Sequence, residues 1–160
     1  MKRIILAIIG TVLIASISFA HNPKVWRKMR SDVNIFMASD VGREGCYDQQ
    51  VIAELMNSVA AKVKPECVVL TGDTHHGNGV KSTDDNDWQE NFEAVYHQPR
   101  LMKIDWYAAL GNHEYRGNTQ AVLDYSQVSH RWKMPERYYT KVFEARGTTV
   151  RLVVIDTTPL

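Results

Sequence analysis

The sequence predicts an α/β layered fold with parallel strands at its centre. Two observations carry that prediction. Short apolar runs alternate with stretches of helical periodicity along most of the chain, which is the pattern of successive β-α-β units. Three of those runs also end alike, on loops carrying hard oxygen donors: Ser39-Asp40, Gly72-Asp73 and Gly111-Asn112-His113-Glu114. In layered α/β folds, ligands bind at the carboxyl ends of the strands. Three donors distant in sequence are therefore expected to converge at one rim.

The first 20 residues are read as a secretory signal peptide. Lys2 and Arg3 are followed by a nearly continuous apolar or small stretch from Ile4 to Ile17, and Ser18-Phe19-Ala20 has the small-x-small form of a cleavage site. The apolar stretch is short for a membrane span, which needs roughly 20 residues. The expected product is exported, to a periplasm or the medium, with no stable span once the leader is cut. Residues 21–32 are an N-terminal extension, and 33–160 form the domain.

Within that domain each element has its own signal. Val33 to Ala38 is an apolar run closed by Ser39-Asp40 and Gly42. Asp48 to Val63 carries Val51, Ile52, Leu55, Val59 and Val63, a helical stripe, and Pro65 stops the helix from outside. Cys67 to Thr71 is a β-branched run ended by Gly72. A polar loop follows through Thr74 to Asp87, with Gly77 and Gly79 as breakers. Trp88 to Tyr96 reads as a helix with Trp88, Phe92 and Val95 on one face. Ile104 to Leu110 is the third strand. Thr119 to Ser129 reads as a helix with Val122, Tyr125 and Val128 inward. Tyr138 to Phe143 and Val150 to Ile155 read as two strands able to pair as a hairpin.

Composition narrows the function classes. The chain has 160 residues, 44% hydrophobic and 23% charged, as expected of one globular domain with a single core. It carries 19 basic and 18 acidic residues, and loss of Lys2 and Arg3 with the leader would leave a net charge near −1. No basic run marks nucleic acid as the main partner. Cys46 and Cys67 form no disulfide framework or metal-finger spacing, so two unpaired, partly buried thiols are expected.

The chemistry of the three loops predicts a metal-assisted phosphoester hydrolase. A phosphate ester is anionic and resists attack by water. Two metal ions about 3.5–4 Å apart can clamp its oxygens and activate a bound water. Asp73, on the middle loop, is placed to bridge two ions, with Asp40 and Asn112 on either side. His113 is placed to protonate a leaving alkoxide or stabilise its charge. His75 and His76 add possible nitrogen donors, and His75 and Glu114 are expected behind the directly liganding residues. Each feature has a plainer explanation when taken alone. An Asp after a strand is usually a turn former or helix cap, and Gly-Asn suits a turn. The three together, in order, are the signal.

The residues also carry a family resemblance. The chain resembles the calcineurin-like metallophosphoesterases, and among them the small purple, or tartrate-resistant, acid phosphatases. The family's Gly-Asp-x-Gly appears as Ser39-Asp40-Val41-Gly42, its Gly-Asp-Asn-Phe-Tyr as Gly72-Asp73-Thr74-His75-His76, and its Gly-Asn-His-Asp/Glu intact at Gly111 to Glu114. The stretch from His113 to Tyr139 and the final Val153 to Leu160 are similar too, so the likeness spans about 33–160. The resemblance implies Asp40 on the first metal, Asp73 bridging, Asn112 on the second metal, and His113 on the substrate phosphate. Asn112 would also lie against the substrate. It implies iron paired with iron, zinc or manganese, and a small phosphorylated substrate. His76 stands where the family has the tyrosine that ligates ferric iron and gives the purple colour, so a colourless site is expected.

The family completes its site with a downstream histidine and a Gly-His-x-His motif, neither of which occurs here. The expectation is therefore the N-terminal portion of a longer enzyme, about half of the full fold, with weak or no activity in 21–160 alone. The alternatives are a metal- or phosphate-binding module without turnover, a phosphodiesterase or nucleotidase of the same superfamily, and a plain structural domain.

Overall fold

The computed structural model describes residues 23–159. The signal-peptide reading, and the export inferred from it, fall outside them. The element order is α1 (Pro23–Ser31), β1 (Ile35–Ala38), α2 (Gln49–Val63), β2 (Cys67–Leu70), a π-helical turn (Gln89–Glu93), a 3-10 turn (Leu101–Lys103) and β3 (Asp105–Ala108). A second 3-10 turn (Glu114–Arg116), α3 (Thr119–Asp124), a third 3-10 turn (Tyr125–Gln127), β4 (Trp132–Lys133), β5 (Tyr139–Ala145) and β6 (Thr148–Val154) follow. Among these, no helix is long and apolar enough to cross a membrane.

Strands β1 to β4 form one parallel sheet in sequence order, as expected of β-α-β units, and β5–β6 form a separate antiparallel hairpin. The central strand β2 is buried along its whole length. That fits a parallel strand covered on both faces. The register aligns Ala38 with Leu70 and Leu70 with Ala108. The first three strands therefore end level with one another on the same side.

The two faces of the sheet are covered unequally. Phe36, Ala38, Val68, Leu70, Trp106 and Ala108 face the main core. There Trp88, Phe92, Tyr125 and Trp132 pack ring on ring, with Trp88 stacked on Tyr125 at 3.5 Å between centroids. Each buried indole N–H has a carbonyl partner: Ser82 for Trp88, Leu101 for Trp106 and Val122 for Trp132. An apolar ring can thus be buried without stranding its one donor. The opposite face holds the smaller cluster of Cys67, Val69 and Tyr107, roofed by Tyr139, Phe143 and Leu152 of the hairpin. The hairpin is pinned there by the Tyr139 hydroxyl, which donates to Ala108 O at 2.8 Å.

Several sequence expectations need correction. The stripe on α2 is its core face only at the C-terminal end: Val63 is buried and Val59 half-buried, whereas Val51, Ile52 and Leu55 are exposed and Ala53 and Ala60 are buried instead. The helix approaches the sheet on Ala53, Ala60 and Val63 with Met56 packed partly against the core, and Val51, Ile52 and Leu55 are left outside. Val128 is exposed instead of inward. The α-helix ends at Asp124 and tightens into 3-10 turns over Tyr125–Gln127, and the change of pitch rotates the next residue outward. The segment after Trp88 keeps Trp88, Phe92 and Val95 buried but takes a π-helical turn. Cys46 is exposed and Cys67 fully buried, and neither is paired. Burial pushes the Cys67 thiol up to about 12, helped by Glu66 and Asp105 nearby. Helix α1 lies in what was read as a bare extension. Strand β4 was too short to leave a pattern.

Candidate metal centre

The level strand ends bring the three loops into contact. The Asp40 N–H donates to Gly72 O at 3.2 Å, and the Gly42 N–H donates to Asp73 O at 3.3 Å. Both Asp40 and Asp73 take positive φ, 56° and 52°, a turn that Asp tolerates better than bulkier residues. The second and third loops approach so closely that two glycines are required. A Cβ on Gly72 would lie 2.9 Å from the Gly111 Cα, and one on Gly111 would lie 2.2 Å from an Asp73 carboxylate oxygen.

Glu114 ties these loops together from beneath. It is buried, and its carboxylate accepts from the Asp73 and Gly111 N–H groups at 3.0 and 2.8 Å and from the His75 N–H at 2.9 Å. Burial raises its pKa, while the three N–H groups pull it back down. The residue expected behind the liganding shell is thus the brace of two loops. Its role is backbone geometry, which only the folded chain shows.

Asp73, His76 and His113 converge. Their donor atoms all lie within 4.8 Å of one another, and the rings of His76 and His113 are 4.7 Å apart. Asp73 Oδ1 also accepts the His113 N–H at 3.1 Å. Asp40 joins through His76, whose Nε2 is 3.8 Å from Asp40 Oδ1. The Ser39 hydroxyl donates to the other Asp40 oxygen at 2.6 Å. Asn112 is exposed on the third loop, next to His113. His75 is not brought to this group. Its ring packs edge-on against Trp88 in the core, with both ring nitrogens buried and unpartnered. Burial pushes it down to about 4.

The His113 ring is held through its Nδ1. Its Nδ1 is 3.0 Å from Gly77 O and 3.2 Å from the Arg116 guanidinium. A proton on Nδ1 would satisfy the carbonyl and leave a lone pair on Nε2, whereas a lone pair on Nδ1 would accept from Arg116. Arg116 also donates to Gly77 O. Reading the sequence did not single out Gly77 or Arg116 for this role. Another unforeseen link holds the third loop to the hairpin: the Tyr115 hydroxyl donates to Asp156 at 2.5 Å and accepts from Arg137 at 2.8 Å.

The donor set suits a divalent or trivalent cation of the iron, zinc or manganese kind. His76 supports this independently, because its Nδ1 is buried without a hydrogen-bond partner. A buried polar atom left unpaired is costly, and coordination is one way to satisfy such a ring.

Parallel strands ending level, with carboxylate and imidazole donors gathered on the loops beyond them, define the class: an α/β domain with a candidate metal centre at its strand ends. The sequence profile of the calcineurin-like phosphoesterases matches residues 33–156, and the chain belongs to that family. It is 32% identical to purple acid phosphatase 17 of Arabidopsis thaliana over 82% of its length and 38% of that protein's. It is 31% identical to purple acid phosphatase 4 of the same plant, over 96% of this chain and 47% of the relative. Human tartrate-resistant acid phosphatase type 5 is 35% identical over 58% of this chain and 29% of its own length. The chain therefore spans less than half of these relatives. The fold is also similar to that of the solved GAP50, the anchor in the inner membrane complex of Plasmodium, with a TM-score of 0.63 over 76% of this chain and 40% of that one, at 21% identity.

Proposed function

We propose that this chain carries the first part of a metal-dependent phosphomonoesterase site, acting on small phosphorylated substrates at acidic pH after export. The observation that supports it best is the meeting of Asp73, His76 and His113 at level strand ends, with Asp40 beside them. Asp40 and His76 would hold one ion, Asn112 the other, and Asp73 both, with iron paired with iron, zinc or manganese. Bound there, the metals would supply Lewis-acid activation of the phosphate and of water.

The chain's own residues do the remaining work. Glu114 ties the second and third loops together by accepting the Asp73, His75 and Gly111 N–H groups, which sets the positions of the side chains they carry. Gly77 O and Arg116 hold the His113 ring through Nδ1, which leaves Nε2 for the substrate. When Nε2 is protonated it can contact the phosphate and hand its proton to the leaving alkoxide. Asn112, exposed beside it, supplies an amide to the same phosphate.

Two measurements test this reading. Metal content is measured by elemental mass spectrometry on the protein and on Asp73→Asn; bound metal is expected in the first and lost in the second. Hydrolysis of a chromogenic phosphate monoester is measured on the protein as its host makes it, with an acid optimum expected. Metal uptake without turnover there would reduce the reading to a binding module. No uptake would end it.

A further inference from the structure

The end of the molecule opposite the metal centre carries a charge pattern that the chemistry above does not use. Two shallow grooves, of about 430 and 440 Å³, run where α1 meets the end of α2 and the 3-10 turn before β3. Their cations are Arg27, Arg30 and Lys62 in the first and Arg30, Lys64, Arg100 and Lys103 in the second. All of these cations are exposed, and no carboxylate lines either groove. We infer that this face docks the protein on an anionic lipid bilayer. The inference goes beyond the hydrolase reading and does not depend on it.

The chain as a whole is nearly balanced, with 19 basic and 18 acidic residues, so the patch arises from segregation of charge and not from a general excess. Among the described residues none of these cations makes an ion pair. The acids at this end are engaged elsewhere, Glu66 by Arg146 and Asp105 by Lys133. The positive potential is therefore left for an outside partner. The face is also held in shape: Arg146 donates to Asp32 O and to Lys64 O, which ties the end of α1 to the end of α2, and Lys62 lies over the Trp26 ring at 4.7 Å. A bilayer is favoured over a polynucleotide by what lies among the cations. Helix α1 interleaves its basic residues with Val25, Trp26 and Met29, and Met29 is exposed; basic and apolar groups mixed in this way suit a lipid headgroup region. In sequence, α1 also follows the apolar stretch Ile4 to Ile17, which brings this end of the chain to a membrane first. The loops of the metal centre lie past the other ends of the strands, so docking here leaves the centre open to solution.

Docking is measured by vesicle flotation of the protein as its host makes it. Vesicles of phosphatidylcholine containing one-third phosphatidylglycerol are compared with vesicles of phosphatidylcholine alone. Binding to the anionic vesicles is expected to be about tenfold tighter or more, and to weaken as salt is raised. The double variant Lys64→Glu/Lys103→Glu should lower it about tenfold, and Lys64→Gln/Lys103→Gln gives the same direction if the reversed charges disturb folding. Lys141→Glu/Arg151→Glu makes the same change in net charge at two exposed positions of the hairpin and should leave binding unchanged. Circular dichroism melts check that each variant is folded. Equal flotation with both lipids, or an equal loss in the groove and hairpin variants, overturns the inference. Tighter binding to a duplex oligonucleotide than to the anionic vesicles overturns it in favour of a polynucleotide partner. Lipid-selective binding with no phosphatase activity upholds the docking face and counts against the hydrolase reading alone.

Discussion

Glu114 and His75 show how single residues set the behaviour of this site. The Glu114 carboxylate accepts three backbone N–H groups from two loops. In Glu114→Gln one end of the side chain becomes a donor facing donors. A loss of about 2 kcal/mol is expected in urea unfolding, the cost of a buried polar group left unmatched. His75 acts through charge. Burial takes it from the usual value near 6.5 to about 4, so the folded state favours the neutral ring. Its contribution is present above the unfolded pKa and is lost as pH falls from about 6.5 toward 4. The shift corresponds to roughly 3 kcal/mol over that window. His75→Phe keeps the packing on Trp88 and removes two unpartnered nitrogens. It should leave stability at pH 7 within about 1 kcal/mol of the original and flatten its fall in acid, read from urea midpoints at the two pH values. At the neighbouring position, the exchange of tyrosine for His76 predicts holo-protein without a strong visible charge-transfer band. Such a band in the absorption spectrum would refute the assignment.

At the scale of elements, α2 is the clearest lesson. Its apolar stripe marks it as a helix, but of that stripe only Val63 is fully buried, beside Ala53 and Ala60. Leu55→Lys should change stability by less than about 0.5 kcal/mol, as surface substitutions do. Ala60→Asp puts an unpaired charge into the core and should leave little folded protein. Circular dichroism melts of the two variants decide between the faces. The π-helical turn at Gln89–Glu93 has a comparable consequence for the first loop. It leaves Asn91 O free to accept from Gln49, while Asn91 Oδ1 accepts from the Glu44 N–H at 2.9 Å. The helical layer thereby holds the loop that carries Asp40.

For the whole molecule, folding and the metal centre are linked. The loops that supply Asp40, Asp73 and His113 come from three strands, and their geometry exists only once the sheet has formed. Metal that binds this geometry stabilises the fold by mass action, about 2.7 kcal/mol at a hundred times the dissociation constant. Zinc or manganese should therefore raise Tm in the original chain, and His76→Ala should reduce the rise. An equal rise in both would place the metal elsewhere. The exposed side chains of Met37 and Ile155 show that apolar surface remains uncovered on the described residues, consistent with a chain that spans less than half of its relatives.

The strand-to-loop motifs were legible from the sequence because they are local. A β-branched run followed by Gly-Asp has few other structures available, and three such runs separated by helices favour parallel pairing. Asp40, Asp73, Asn112 and His113 could be named on that basis, and the structure gathers Asp73 and His113 with His76, with Asp40 beside them and Asn112 exposed on the third loop. The tertiary structure alone decided which face of α2 is inside, that His75 turns into the core while His76 turns toward the loops, and that Glu114 and Gly77 hold the centre in place. Those outcomes depend on what packs against each residue from distant parts of the chain. Adjacent histidines in one loop carry no local signal of which ring will meet Trp88 and which will meet His113.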